Sequence, residues 1–522
     1  MAVRAQPIRP VVWVGGLAAL VVPTLILLSI GAVIVAAEPG RGLGPADWAA
    51  IRFTLVQAML SALISVALAI PVARALARRQ FRGRGLLVTL LGAPFLLPVI
   101  VAVFGLLAVF GRGGFVNAAL EASGLPAFSI FGLHGVVLAH VFFNMPLATR
   151  LILQGWAELP AERFRLAASL GMDARAIRRH LEWPMLRKVV PGALLLIFVI
   201  CTTSFAVALI LGGGPHATTV ELAIYQALRF DFDLTRAAFL SLLQLAITGL
   251  AAFAALRWSG LAGVGAALDR PLRRWDAGAP ALRLLDAIAI IAASLFLLVP
   301  MAMVAFRGLP AIPTLPSAVW TAAFTSLVVA FCSTCLVAML AISIGLTVTH
   351  GGKMARHLEV AGLLAVAASP LVIGTGLFLI IFRFANPTGF ALPVTILVNA
   401  LMTLPFALRA LIPAMRNVEA DYGRLADTLN LSGWARLRLL VLPRIRRPLG
   451  FSLGLAAALS MGDLGVIALF ADSDTATLPL QVYRLMGAYR MDDAGAAAVL
   501  LLILTFAIFM LFDMGLGRDA DA

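Results

Sequence analysis

The sequence predicts an all-α polytopic membrane protein made of two tandem six-helix domains, and three observations carry that prediction. Of its 522 residues, 62% are hydrophobic and 12% charged, which is more apolar surface than a water-soluble fold can hide. Apolar stretches of about 20 residues, the length that crosses a bilayer, recur along the chain. One polar stretch is written twice. Arg165–Pro184 (RLAASLGMDARAIRRHLEWP) and Arg424–Pro443 (RLADTLNLSGWARLRLLVLP) lie 259 residues apart, and MPLATR (145–150) and LPFALR (404–409) keep the same offset. A repeat this long marks two homologous domains rather than a solenoid.

In chain order, spans are expected near 11–36, 53–77, 86–110, 131–153, 189–211 and 237–256. After a polar linker they resume near 284–306, 319–348, 356–382, 391–413, 448–470 and 495–516. The domains are therefore 1–256 and 284–522, joined by 257–283. The first span follows Arg4 and Arg9, is long enough to cross, and lacks a small-residue cleavage site, so it reads as a retained helix. With the N-terminus on one side, 31 of the 40 Lys and Arg residues fall in loops on that side and 9 on the other. Positive charge stays cytoplasmic, so both termini, the linker and both copies of the polar repeat are expected in the cytoplasm. An even number of helices per half gives the halves a common orientation, related by a pseudo-two-fold axis along the membrane normal. The net charge of +15 is this orientation signal; nucleic acid is not an expected partner.

Each polar repeat reads as helix, turn, helix. Leu166, Ala167 and Leu170 are expected on one helical face, as are Leu425, Ala426 and Leu429. Gly171 and Asn430 are residue types that accept the left-handed conformation a tight turn needs. Asp173 and Ser432 are expected N-caps of the next helix. Pro184 and Pro443 are expected to close the units.

The largest loops on the opposite side, Gly212–Asp233 and Ala471–Asp493, are richer in acids and share a Thr-then-Tyr pattern: Thr218, Thr219, Tyr225 and Thr475, Thr477, Tyr483. This duplication fits a docking surface or gate, or equally a solvated re-entrant connection. Cys201, Cys332 and Cys335 sit in apolar runs without a second pair or histidine cluster, and read as small core residues. No zinc-ligand set, Ser/His/Asp grouping or cofactor motif is present. The two lysines, Lys188 and Lys353, are not followed by Ser or Thr, so no phosphate-binding loop of the GxxxxGK[ST] type exists. Intramembrane ionisable groups are sparse: His140 beside Asn144, Asp463 after Gly462, and Glu359 near a cytoplasmic end. None pairs by helical spacing into a proton path.

At the two hairpins the sequence resembles binding-protein-dependent ABC importer permeases, whose cytoplasmic EAA loop runs Glu-Ala-Ala, three residues, Gly, and a Pro thirteen residues later. Gly171 to Pro184 and Asn430 to Pro443 keep that spacing. Arg165 and Arg424 stand where the family has Glu, Leu166 and Leu425 replace the first Ala, and Asn430 replaces Gly. Glu162 and Asp421 lie one turn earlier, where they could supply the acid. Most of the chain further resembles the fused permeases of Gram-negative thiamine importers, through LPVIVAVFGLLAVFGR (97–112), LAHVFFNMPLATRLILQ (138–154), LGMDARAIRRHLEWPMLR (170–187), LGGGPHATTVELAIYQAL (211–228), SMGDLGVIALF (460–470) and TLPLQVYRLMGAYR (477–490).

This resemblance implies a type I ABC importer fold in the bacterial inner membrane. It also implies two copies of a separate ATPase subunit on the hairpins, a periplasmic thiamine-binding protein, and thiamine or its phosphates as cargo. Rocking of the helices joined to the hairpins would then open a central path. Its polar lining is expected from Asn144, Thr202, Thr203, Ser204, Asn399 and Asp463, with Asp463 facing the thiazolium cation and Phe205 offering a cation–π surface. The alternative for these residues is helix packing. Alternatives for the whole are a related importer for ferric iron, polyamine or an anion, separated by rescue of a thiamine auxotroph, and a 12-helix secondary transporter, which would work without ATP.

Overall fold

A computed structural model describes residues 9–37, 43–92, 94, 96–214, 217–258, 278–350, 369–472 and 475–517. Among these residues the structure is helical, with no strand. The first repeat begins with α1 (Arg9–Ala36), α2 (Pro45–Arg78), α3 (Arg84–Leu90), α4 (Val99–Phe110) and α5 (Phe115–Ala122). It continues with α6 (Leu133–Ala157), α7 (Ala161–Ser169), α8 (Ala174–Ile177) and α9 (Trp183–Thr202). It ends with α10 (Ala206–Leu211), α11 (Val220–Arg229) and α12 (Leu234–Trp258). The second repeat begins with α13 (Pro280–Gly308), α14 (Ser317–His350), α15 (Pro370–Phe382) and α16 (Ala391–Thr428). It continues with α17 (Gly433–Arg436), α18 (Leu442–Met461) and α19 (Gly465–Phe470). It ends with α20 (Leu478–Gly487) and α21 (Met491–Gly517).

Eleven described helices are long and apolar enough to span a bilayer. The twelfth expected span, 356–382, is represented by the shorter apolar helix α15, its first residues lying outside the described set. Lys353, Arg356, Glu359 and most of the linker 257–283 also lie outside it. Three expected spans are not single helices. The stretch 86–110 divides into α3 and α4, with Pro98 as the N-cap of α4. The stretches 189–211 and 448–470 break at Thr203–Phe205 and Gly462–Leu464. The acid-rich loops contain α11 and α20, so they are built from helices.

Packing divides the chain differently from the repeat. One compact unit holds residues 1–41, 224–245 and 308–522; the other holds 42–223 and 246–307. The first helix of each repeat thus belongs to the unit formed mainly by the other repeat. In the first unit α1 packs on α14 and α15. A Cβ on Gly15 would overlap Thr347 and Ser343 of α14, and one on Gly376 of α15 would overlap Ser29 of α1. Small residues permit such close helix approach in a bilayer, where apolar burial alone gives no preference for helix over lipid. In the second unit α13 is fixed along its length. Asp286 pairs with Arg78 at 2.5 Å and Arg79 at 2.7 Å, Phe296 meets Phe142 edge-on at 5.8 Å, and Gly105 accommodates Pro300. Near its end Arg307 donates to Gly113 O at 2.7 Å.

The cysteine expectation divides. Cys201 is buried, but Cys332 and Cys335 are exposed on α14. An apolar side chain facing lipid and one facing a neighbouring helix look alike in sequence, because both environments are apolar.

Candidate functional sites: paired hairpins and paired helix breaks

Both hairpins turn through a left-handed residue, Gly171 at φ +63° and Asn430 at φ +54°, as their residue types require. Asp173 caps α8, its carboxylate accepting from Ala176 N at 2.8 Å. Ser432 does not repeat this. It sits in extended backbone before α17 without a side-chain cap, and Gly433 follows at φ +55°.

Pro184 and Pro443 do not close the units. The helix runs on through each of them, after a π-helical turn at Arg178–Glu182 and at Leu437–Val441, 259 residues apart. Trp183 N donates to Arg178 O and Leu442 N to Leu437 O, five residues back. Each proline lacks the N–H that would bond the carbonyl four residues earlier, and its ring crowds that carbonyl. A widened turn just upstream relieves both problems without breaking the helix.

The expected shared apolar face separates into two. Ala167 and Ala426 are buried, whereas Leu166 and Leu170 are 61% and 63% exposed, and Leu425 and Leu429 55% and 62%. Within each pair the leucines are four residues apart and flank the same stripe, while the alanine points into the hairpin. Each hairpin therefore offers an exposed apolar stripe beside exposed Arg165 and Glu162, or Arg424 and Asp421. The second adds Trp434 and Leu439, 69% and 64% exposed.

The interiors differ. Phe164, Ala167 and Ile177 form a buried apolar cluster in the first hairpin, with Leu159, Met172 and Leu181 against it. In the second, Arg436 is buried and pairs with Glu419 at 2.5 Å and Asp427 at 2.8 Å. Arg436 corresponds to Ile177, and Gly423 to Phe164. Sequence reasoning missed this; position-by-position comparison of the two repeats would have found it. The first hairpin is also tied to α2 by Arg74 and the buried Glu182, at 2.8 Å.

The helix breaks carry four of the expected path residues. Thr203, Ser204 and Phe205 separate α9 from α10; Thr203 Oγ1 donates to Ile200 O at 3.2 Å, and Phe205 is buried. Asp463 lies at the corresponding break, where Gly465 N donates to its Oδ1 at 3.3 Å and the amides of Val466 and Ile467 also face the carboxylate. Asn144 and Asn399 are buried in helix contacts. Asn144 donates to His140 O at 2.9 Å and Cys201 Sγ at 3.4 Å, and Ser61 Oγ lies 3.3 Å from His140 Nδ1. Asn399 donates to Ser460 Oγ at 3.0 Å, which also accepts from Ser333 at 2.9 Å. His140 and Asn399, and Cys201 and Ser460, are repeat equivalents, so one interhelical polar knot occurs in each half. A further duplicated bond joins Thr54 Oγ1 to Val220 N at 2.9 Å and Ser326 Oγ to Leu478 N at 2.7 Å.

No family model matches the chain. It is 40% identical over 483 residues to the thiamine transport system permease protein ThiP of Salmonella typhimurium, covering 91% of this chain and 90% of that protein. The chain belongs to the thiamine transport system permease family. The Haemophilus influenzae ThiP is 33% identical over 488 residues, covering 90% of this chain and 89% of its own. A shorter likeness, 30% over 146 residues and 27% of this chain, is to the sulfate transport system permease protein CysW of Synechococcus elongatus, covering 50% of that protein. The chain is thus a multi-pass transport permease.

Proposed function

We propose that this chain is the membrane-spanning subunit of an ATP-driven importer that carries thiamine, and its phosphates, from periplasm to cytoplasm across the bacterial inner membrane. The observation that carries the reading is the 40% identity to ThiP over 91% of the chain. Two homologous permease domains, 1–256 and 284–522, work as a pair. Both hairpins and both termini face the cytoplasm, in keeping with 31 of 40 basic residues on that side.

ATP is bound by separate subunits, one per hairpin; the absence of a phosphate-binding loop here supports a division of labour. The exposed pairs Leu166/Leu170 and Leu425/Leu429 are the anchors, since paired apolar side chains on a charged surface are what a docking partner covers. Closure of the ATPase pair moves the hairpins. The π-turns transmit that movement into α9 and α18, whose far ends are the breaks at Thr203–Phe205 and Gly462–Leu464. A periplasmic thiamine-binding protein delivers cargo on the opposite side. Asp463 in the second repeat supplies a charge opposite to the thiazolium along the path; in the first repeat Phe205 offers a ring face and Thr203 and Ser204 polar contacts; Asn144 and Asn399 keep the flanking helices in register.

The test is rescue of a thiamine-uptake-deficient auxotroph by this chain with its partner subunits, together with mass identification of co-purified chains. Rescue with an ATPase co-purifying is expected. Rescue by iron, polyamine or sulfate uptake instead, or uptake without ATP, would overturn the reading.

A further inference from the structure

The end of α19 is held by two guanidiniums. Arg229, the last residue of α11, donates through Nη2 to Ala471 O at 2.7 Å, and Arg484 of α20 donates to the next carbonyl, Asp472 O. Both carbonyls lie just past the last turn of α19. Ala471 is the C-cap residue, whose carbonyl a helix leaves unpaired, so a cationic donor is well placed there. The other end of α19 is the break that carries Asp463. Arg229 comes from the first repeat and α19 from the second, and both lie in one compact unit. The same unit brings residues 224–245 against α15, through Phe232 on Phe382 at 5.5 Å and a buried cluster of Ala238, Leu379 and Val33.

The equivalent helix of the first repeat is held otherwise. Gly132 N donates to Leu211 O, the last residue of α10, at 2.8 Å. That tie is main chain to main chain and belongs to the fold. The clamp on α19 is made of side chains and carries an internal opposition. Burial, and then the neighbouring Arg229, push the Arg484 guanidinium below its ordinary range, against the pull of Asp472. Tyr225 and Tyr483, at matching positions of α11 and α20, are close enough to feel one another, and burial raises both phenols. Two guanidiniums and the Asp472 carboxylate thus meet at one helix end, through side chains that can swing away from the carbonyls they hold.

We propose that Arg229 and Arg484 are positioning residues for transport. They hold α19, and with it the Asp463 break, in the arrangement described here, and cargo passes when Arg229 leaves Ala471. This rests on the transport reading above. A charged hydrogen bond of this kind biases a two-state equilibrium by about tenfold or more. Without it α19 samples the released arrangement that the binding protein otherwise selects.

The experiment uses the full complex, with ATPase subunits, in lipid vesicles, and reads ATP hydrolysis in the absence of the binding protein. Arg229→Ala is expected to raise that hydrolysis about tenfold and to lower thiamine transported per ATP. Arg229→Lys, which keeps a cation at the helix end, is expected to move both values back toward wild type. A purely structural role would lower yield and hydrolysis together. Unchanged or lower hydrolysis in a variant assembled at wild-type yield overturns the proposal. If Arg229→Ala does not assemble, Arg229→Gln and Arg484→Gln are measured the same way. Failure of all three to assemble also overturns it, because it would place these side chains in folding. Wild-type vesicles separate the two claims: no ATP-dependent thiamine uptake there defeats the transport reading, whereas normal uptake beside a silent Arg229→Ala defeats the clamp alone.

Discussion

The two hairpins share a turn and a π-turn but have different interiors. Both turn on a left-handed residue, both carry a π-turn at the same place, and both expose a pair of leucines. Yet one is filled by Phe164 and Ile177 and the other by Arg436 with its two carboxylates. The change is concerted. Gly423, where the first hairpin has Phe164, leaves the space that the Arg436 guanidinium occupies; a Cβ there would come within 2.8 Å of Glu419 Oε1 and 3.4 Å of Arg436 Nη2. What is common to both copies is therefore the turn, the π-turn and the exposed leucine pair. The means of holding them is free to vary, provided it varies at both positions together.

The largest expected effect tests the common surface. Leu170→Asp and Leu429→Asp each place a charge on an exposed apolar stripe, so insertion should be intact while co-purification of the ATPase is lost. A normal yield of co-purified ATPase in either variant would mean that the hairpins are not equivalent docking sites.

The next effect tests the interiors. Ile177→Arg buries a guanidinium where Pro160 and Ala168 replace Glu419 and Asp427, and an uncompensated buried charge costs about 3–5 kcal/mol. The reverse exchange, Arg436→Ile, leaves carboxylates that already reach water and should cost less, about 1–2 kcal/mol. Thermal unfolding of the detergent-solubilised permease, with hairpin proteolysis as a local probe, gives the order. Equal losses would show that the two interiors are interchangeable after all.

A double substitution sharpens the point. Gly423→Phe alone should disrupt the second hairpin by about 1–3 kcal/mol through overpacking, and adding Arg436→Ile should recover part of that loss. Strict additivity in the cycle would refute the pairing of these positions. The smallest effect is at the turn. Gly171→Ala must place a Cβ at φ +63° and should cost about 1–2 kcal/mol, whereas Asn430→Gly should stay within about 0.5 kcal/mol of wild type. A Gly171→Ala protein as stable as wild type would mean that the turn relaxes to another conformation.

Much of this site is legible in the amino-acid sequence alone. Gly171 and Asn430 announce their backbone by residue type, and Asp173 announces a cap that it does make. Ser432 was misleading because a following glycine at positive φ redirects the chain away from its hydroxyl. Pro184 and Pro443 looked like stops, since local rules place proline at helix ends; a π-turn offers a second solution that those rules do not contain. Hydrophobicity groups the leucines and alanines of the hairpins together, but size decides which of them fits inside. Asn144 and Asn399 are polar and lie in spans, which fits path lining and helix packing alike; the structure adds their bonds across helices, to Cys201 and Ser460.

By itself the amino-acid order determined most of the spans, the duplication, the charge asymmetry and the turns. These follow from transfer to lipid, from a constant offset and from backbone sterics, all of which act on neighbours in the chain. Only the tertiary structure decided that α1 packs with the second repeat and α13 with the first, that Cys332 and Cys335 look outward, and that Arg229 reaches Ala471. In a bilayer, lipid and helix are equally apolar partners, so composition assigns no side chain to either; shape and long-range contact make that choice.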